Sequence, residues 1–370
     1  MGTPIHEVAT FGQSIWYDNL RRSMFASGEL AKMIEKDGLL GMTSNPSIFE
    51  KAIGSGSDYD TAIGAYAKTH PKADDIEVFE HLAIDDIRHA CDLFRPVYDR
   101  THGRDGYVSL EVSPRLAHHE EQTFAEAQRL WKAVDRPNVM IKIPGTKECV
   151  QAIRRAYAAG ININVTLLFS VHAYLEVAEA FLAGLEERHE KGHDIAKVHG
   201  VASFFLSRID TMVDKQLDDA HAALRGKAAI ANAKIAYGKF HELTNTPRWK
   251  KLVASGAHPQ RLLWASTGTK NPAYPKLMYV EQLIGSDTVN TIPGDTYDEL
   301  RDRGAGHVHD TLASDLTGAQ HTLAAIEKAG VSIKHVTDTL LEDGVKAFEK
   351  SFDTLLKAVA DKRAKLAGGH

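Results

Sequence analysis

Short apolar runs alternate along the chain with longer stretches in which apolar residues return every three or four positions. The short runs predict strands at SIWYDN (14–19), LLGMTSN (39–45), YVSLEV (107–112) and VMIKIP (139–144), then at NINVTLLF (162–169), GVASFFL (200–206), RLLWAST (261–267) and TVNTIP (288–293). Stretches such as TKECVQAIRRAYAAG (146–160) and AYLEVAEAFLAGLEERHEKG (173–192) predict the intervening helices. Strand and helix in alternation argue for right-handed βαβ units and a parallel sheet. Eight strands argue for closure into an α/β barrel of the (β/α)8 TIM type. Two connections, 46–106 and 208–260, have room for two or more helices each. The chain after 293 reads as the last barrel helix plus a terminal helix, packed on the outside or across one rim. The tail after Lys365, LAGGH, is expected to fray.

A chain of 370 residues could hold two domains. The unbroken strand–helix pattern, with no repeat or Pro/Ser-rich linker, instead predicts one barrel domain over 1–370. The formal net charge of −5 argues against broad nucleic-acid binding while leaving room for a local basic pocket that holds one phosphate. Cys91 and Cys149, the only two cysteines, read as reduced core residues and not as a disulfide framework or a zinc site. The 19 histidines show no ligand spacing, and the adjacent His118 and His119 cannot share one helix face, so no metal is expected. The N-terminal residues lack a secretory pattern and no apolar run is long enough to cross a membrane, so a soluble, cytoplasmic protein is expected.

One predicted strand poses a chemical question. VMIKIP is apolar except for Lys142 at its centre. Side chains alternate along a strand, so Lys142 shares a face with Met140 and Pro144, opposite Val139, Ile141 and Ile143. The same parity sets Glu111 with Ser109 and Tyr107, and Asn164 with Thr166. It sets Asp18 with Trp16 and Ser14, Asn45 with Thr43 and Gly41, and Ser203 with Phe205. The apolar faces suit the surrounding helices. In a barrel the other face is the interior, and its polar groups come late in the strands, at the C-terminal rim where barrel active sites lie. Asp18, Asn45, Glu111, Lys142, Asn164, Thr166 and Ser203 would therefore converge there.

An amine in such a place can attack a carbonyl and form a Schiff base, because burial disfavours the charged form of an amine. The iminium is an electron sink, so a carbon–carbon bond two atoms away can break and leave an enamine. Proton transfers at the leaving hydroxyl and during carbinolamine dehydration need acid–base groups, and Asp18 and Glu111 suit those two tasks. No cofactor is required.

IWYDN, TSNPSIFEKAI, VSLEVSPRLA, VMIKIPGT, NVTLLFS and ASFFLSRID occur in this order. Together they resemble the transaldolase family, in its longer bacterial branch. The resemblance implies transfer of a dihydroxyacetone unit between sugar phosphates of the pentose phosphate pathway. It implies that Lys142 is the Schiff-base lysine and Asp18 the acid–base at the cleaved bond, and that Glu111 and Thr166 position a catalytic water. It makes Asn45 and Asn164 contacts to substrate hydroxyls, with Thr43 beside Asn45 in the same motif. It makes Ser203 and Arg208 phosphate ligands, with Lys270 of STGTKN the nearest further cation. By parity Phe205 faces the interior with Ser203, and its phenyl ring, which carries no exchangeable proton, is expected to line the substrate site and protect the enamine. The run Gly41-Met42-Thr43-Ser44-Asn45-Pro46 departs from the common family form Asp-Ala-Thr-Thr-Asn-Pro.

Simpler roles stand beside these. Lys142 could guard a strand edge, Asn45 before Pro46 is a good helix cap, Phe205 could be plain core, and Arg208 and Lys270 could be solvated surface charges. The nearest functional rival is a lyase of the fructose-6-phosphate aldolase type, which releases free dihydroxyacetone. A sugar-phosphate-binding barrel without catalysis is a rival of another class.

Overall fold

The computed structural model describes residues 2–304 and 306–368. Its eight strands close into a barrel in chain order, and every neighbouring pair is parallel. They are β1 (Gln13–Asp18), β2 (Gly41–Thr43), β3 (Tyr107–Glu111), β4 (Val139–Pro144), β5 (Ile163–Leu168), β6 (Gly200–Phe205), β7 (Arg261–Ala265) and β8 (Thr288–Ile292). All eight predicted strands are present, shorter at several ends for local reasons. β2 stops at Thr43 because Asn45 leaves the ladder to cap the helix Pro46–Gly54, with Pro46 in its first turn. β7 stops at Ala265 because Ser266 turns into the left-handed region at φ 55°.

The long connections carry the extra helices. Pro46–Gly54, Asp60–Thr69 and Asp75–Arg100 fill the first, and Ser207–Gln216, Ala228–Thr244 and Pro247–Ala254 lie in the second. After β8 come Gly294–Asp302, Leu316–Lys328 and a C-terminal helix, Ile333–Gly368. That helix packs across the C-terminal rim, one of the two positions expected. Val345, Phe348, Phe352, Leu355 and Val359 recur at helical spacing and are all buried. Polar ties hold it: Ser47 Oγ lies 2.8 Å from Ser351 Oγ, Arg115 Nη2 donates to Asp353 Oδ1 at 2.6 Å, and Lys362 Nζ donates to the Gly56 carbonyl at 2.7 Å. The helix runs on through Leu366 to Gly368, past the point where fraying was expected, and Gly369 and His370 of that tail lie outside the described residues.

The N-terminal end of the barrel is closed by a buried ion pair that sequence reading did not find. Arg261 Nη2 lies 2.9 Å from Asp105 Oδ1, and both side chains are nearly inaccessible. Ser14 Oγ and Trp16 Nε1 also donate to this carboxylate, at 2.9 and 3.2 Å. Gly41 is required here, since a Cβ would stand 2.6 Å from the Trp16 ring. Removing one member of such a pair strands the other charge out of water. Asp105→Ala should therefore cost about 3–5 kcal/mol of stability, read by urea unfolding. Turnover of the folded fraction should be unchanged, because the pair lies at the pole opposite the rim. A loss under 1 kcal/mol, on the scale of a surface pair, would show that the pair does not hold the barrel's base.

Candidate active site

Strand register decides which side chains meet at the rim. Glu111 pairs with Lys142, Lys142 with Asn164, and Asp18 with Thr43. Three neighbouring strands thus present Glu111, Lys142 and Asn164 side by side inside the barrel. Lys142 is in the middle of a closed sheet and is not an edge guard. Its Nζ lies 3.3 Å from Glu111 Oε2, with each side chain 6% exposed, and donates to the Ser44 carbonyl at 3.0 Å.

Both carboxyls are held above the ordinary carboxylate range. For Asp18 the cause is burial, opposed by the Lys142 charge and by the hydrogen bond from Thr43. For Glu111 it is again burial, opposed by Lys142, with Asp18 adding repulsion. Thr43 Oγ1 stands 2.7 Å from Asp18 Oδ1 and 2.6 Å from Thr291 Oγ1. Thr291 was not singled out from the sequence, although its pairing with Trp16 puts it on the interior face. Among the described residues Thr166 Oγ1 is buried without a hydrogen-bond partner, and Glu111 Oε2 has only the Lys142 ion pair, outside hydrogen-bond geometry. Buried oxygens in that state are costly unless something joins them.

Deeper in the barrel, Asn164 Nδ2 donates to Ser109 Oγ at 3.0 Å, and Ser203 Oγ donates to Asn164 Oδ1 at 2.6 Å. Ser203 is thus committed to orienting Asn164. Asn45 caps its helix, accepting from the Ile48 amide at 3.0 Å, and also faces the mouth. The cap uses its carbonyl oxygen and leaves its amide protons for another partner.

The mouth is a cavity of about 1110 Å³ open to solvent, which Asp18, Lys142, Thr166 and Phe205 all line. Three cations besides Lys142 border it: Arg208, Lys270 and the unpredicted Lys51, which follows β2 on the helix Pro46–Gly54. The Arg208 guanidinium lies over the Phe205 ring at 5.6 Å, burial lowers its proton affinity, and among the described residues it forms no ion pair. The Ser207 and Ser266 hydroxyls meet at 2.8 Å beside it. Leu167, next to Thr166, takes a left-handed φ of 60° where the β5–β6 register slips. A non-glycine residue held in that region stores strain and is a mark of functional sites.

Among the described residues no His, Cys, Asp and Glu cluster could hold a metal ion, and no helix is long and apolar enough to cross a membrane.

Lys142 and two buried carboxyls, enclosed at the C-terminal mouth of a (β/α)8 barrel and bordered by cations, suit Schiff-base chemistry on an anionic carbonyl compound. Residues 15–359 match the family described as transaldolase/fructose-6-phosphate aldolase. A transaldolase of Trichodesmium erythraeum (strain IMS101) is 46% identical, covering 97% of each chain. One of Thermobifida fusca (strain YX) is 45% identical over 98% of this chain and 99% of its own. Transaldolase 1 of Streptomyces avermitilis is 48% identical over 94% of this chain and 93% of its own. The chain belongs to the transaldolase/fructose-6-phosphate aldolase family, and it is a Schiff-base-forming transferase.

The Thr43 hydrogen bond yields a test with a definite sign. It favours ionised Asp18, so Thr43→Val, which keeps the shape, should raise the Asp18 pKa further. Where Asp18 must be ionised, the acid limb of the kcat/KM profile should move to higher pH. An unmoved limb would show that Asp18 does not govern it.

Proposed function

We propose that this protein is a transaldolase of the pentose phosphate pathway, acting in the cytoplasm through a single barrel domain. It moves a dihydroxyacetone unit from sedoheptulose 7-phosphate to glyceraldehyde 3-phosphate, giving erythrose 4-phosphate and fructose 6-phosphate. The observation that carries the reading is the Lys142 amine, enclosed in the barrel 3.3 Å from Glu111 and sharing the site with Asp18.

Lys142 attacks the C2 carbonyl. Glu111, whose proton affinity is raised by burial, takes a proton from the amine as a carboxylate and returns it to the departing hydroxyl. The buried oxygens of Glu111 and Thr166 that lack a hydrogen-bond partner suit a water that relays these protons and later hydrolyses the iminium. Asp18 removes the proton of the C4 hydroxyl as the C3–C4 bond breaks. The electron pair passes to the iminium nitrogen, the aldose leaves, and the enamine remains. The reverse sequence joins the enamine carbon to the acceptor aldehyde, and Asp18 returns the proton to the new hydroxyl.

Asn45 and Asn164 hold the hydroxyls of the dihydroxyacetone unit. Ser203 serves that end with Asn164, because its proton is spent on the Asn164 carbonyl. The phosphate is left to Arg208, which forms no ion pair among the described residues, and to Lys270. Arginine supplies a planar fork and lysine a mobile point charge, so Arg208 sets the orientation. Phe205 faces the same cavity and offers the enamine no proton, which favours the transferase over the lyase.

The test is a coupled assay of erythrose 4-phosphate formation. Lys142→Met, which keeps most of the stem volume, should abolish transfer in a folded protein. Asp18→Asn should lower kcat by about 10²–10⁴, the worth of a positioned acid–base group. Turnover within threefold of wild type in either folded variant would remove that residue from the mechanism.

A further inference from the structure

The C-terminal helix reaches the reacting atoms. Gly344, Phe348 and Phe352 stand four residues apart, so they lie along one face of it. At Gly344 the helix sits on the strained exit of β5: a Cβ there would lie 3.0 Å from Leu167 Cδ2 and 3.7 Å from Arg208 Nη1. One turn on, the Phe348 ring is buried, lines the mouth, and has its centroid 6.0 Å from Lys142 Nζ. A further turn on, Phe352 packs on Phe79 at 5.8 Å and under the Arg115 guanidinium at 5.4 Å, away from the mouth. Close seating at Gly344 thus presses one phenyl ring, and not its neighbour, towards the lysine.

We propose that Phe348 is a wall of the active site that keeps the enamine on Lys142 from being protonated. This rests on the Schiff-base transfer reading above. After the C3–C4 bond breaks, the electron pair lies on the enamine. If the C3 carbon takes a proton from water or an acid, the iminium re-forms, water adds at C2, and the Lys142 amine leaves with free dihydroxyacetone as product. If the same carbon instead attacks an aldehyde, the new carbon–carbon bond takes that pair. A phenyl ring carries no exchangeable proton and excludes water, which suppresses the first outcome. Phe205 supplies a second such wall from β6, so strand and terminal helix each place a phenyl ring at the mouth.

The experiment incubates the enzyme with fructose 6-phosphate in D2O, without acceptor, and measures free dihydroxyacetone and its deuterium content. The parallel incubation contains glyceraldehyde 3-phosphate and measures transfer. Phe348→Leu, which opens the wall to water, should raise the ratio of release to transfer several-fold, and the released ketone should carry one carbon-bound deuterium. Phe348→Tyr, which conserves the ring and adds a phenol, should raise the ratio as well, and it decides the matter if the leucine variant does not fold. Phe352→Leu, on the same helix face, should leave the ratio where it is. Wild-type ratios in folded Phe348 variants would overturn the proposal alone. So would an equal rise in Phe352→Leu, since a loosened helix would then be the cause. Failure of the wild-type enzyme to transfer at all would overturn the Schiff-base reading, and this proposal with it.

Discussion

Everything at the mouth follows from keeping an ammonium group out of bulk water next to a carboxylate. A buried ion pair is costly to assemble and gains little net stability. The Lys142–Glu111 pair is therefore better understood by what it does to proton affinities than by what it adds to folding. Burial lifts the proton affinity of Glu111 and of Asp18, and Lys142 limits both shifts. The parallel register supplies this arrangement without loops: Glu111, Lys142 and Asn164 are partners across adjacent strands.

The two ends of the barrel divide stability from chemistry. At the N-terminal end Arg261 and Asp105 are fully engaged, with Ser14, Trp16 and the Arg104 carbonyl taking up the remaining bonds. At the C-terminal end, among the described residues, Thr166 Oγ1 has no hydrogen-bond partner, Glu111 Oε2 has only the Lys142 ion pair, Arg208 has no carboxylate at ion-pair distance, and Leu167 and Ser266 hold left-handed backbone. Unsatisfied groups and strain cost stability and persist where the surrounding structure over-determines them. Here that surrounding structure includes the C-terminal helix, tied down through Ser351, Asp353 and Lys362 beyond its passage over the mouth.

Much of this could be read along the chain. Eight apolar runs gave eight strands, because β-branched runs stopped by Gly, Pro or Asn have few alternatives. Two-residue parity placed Asp18, Thr43, Glu111, Lys142, Asn164 and Thr166 on one wall, because pleating obliges side chains to alternate. The same parity applied to β7 and β8 would have found Arg261 and Thr291, which pair with interior positions Val201 and Trp16. Other features had no local signal. Asp105 lies just before β3 and meets Arg261 only after the barrel closes. Phe348 reads as one more apolar position of an amphipathic helix, and its place above Lys142 depends on where that helix docks, nearly two hundred residues from its partner strand. Ser203 was set with Arg208 because they share a motif. Parity alone separates them, since Ser203 points into the barrel while Arg208 belongs to the helix that follows.

The central claim is a covalent bond between Lys142 and substrate, and borohydride reduction in the presence of fructose 6-phosphate tests it most directly. Reduction converts the iminium to a stable secondary amine, and peptide mass mapping locates it. The account expects inactivation to track formation of one reduced dihydroxyacetone adduct per chain, on the peptide carrying Lys142. An adduct on a different lysine, or full activity after reduction with substrate, would contradict it.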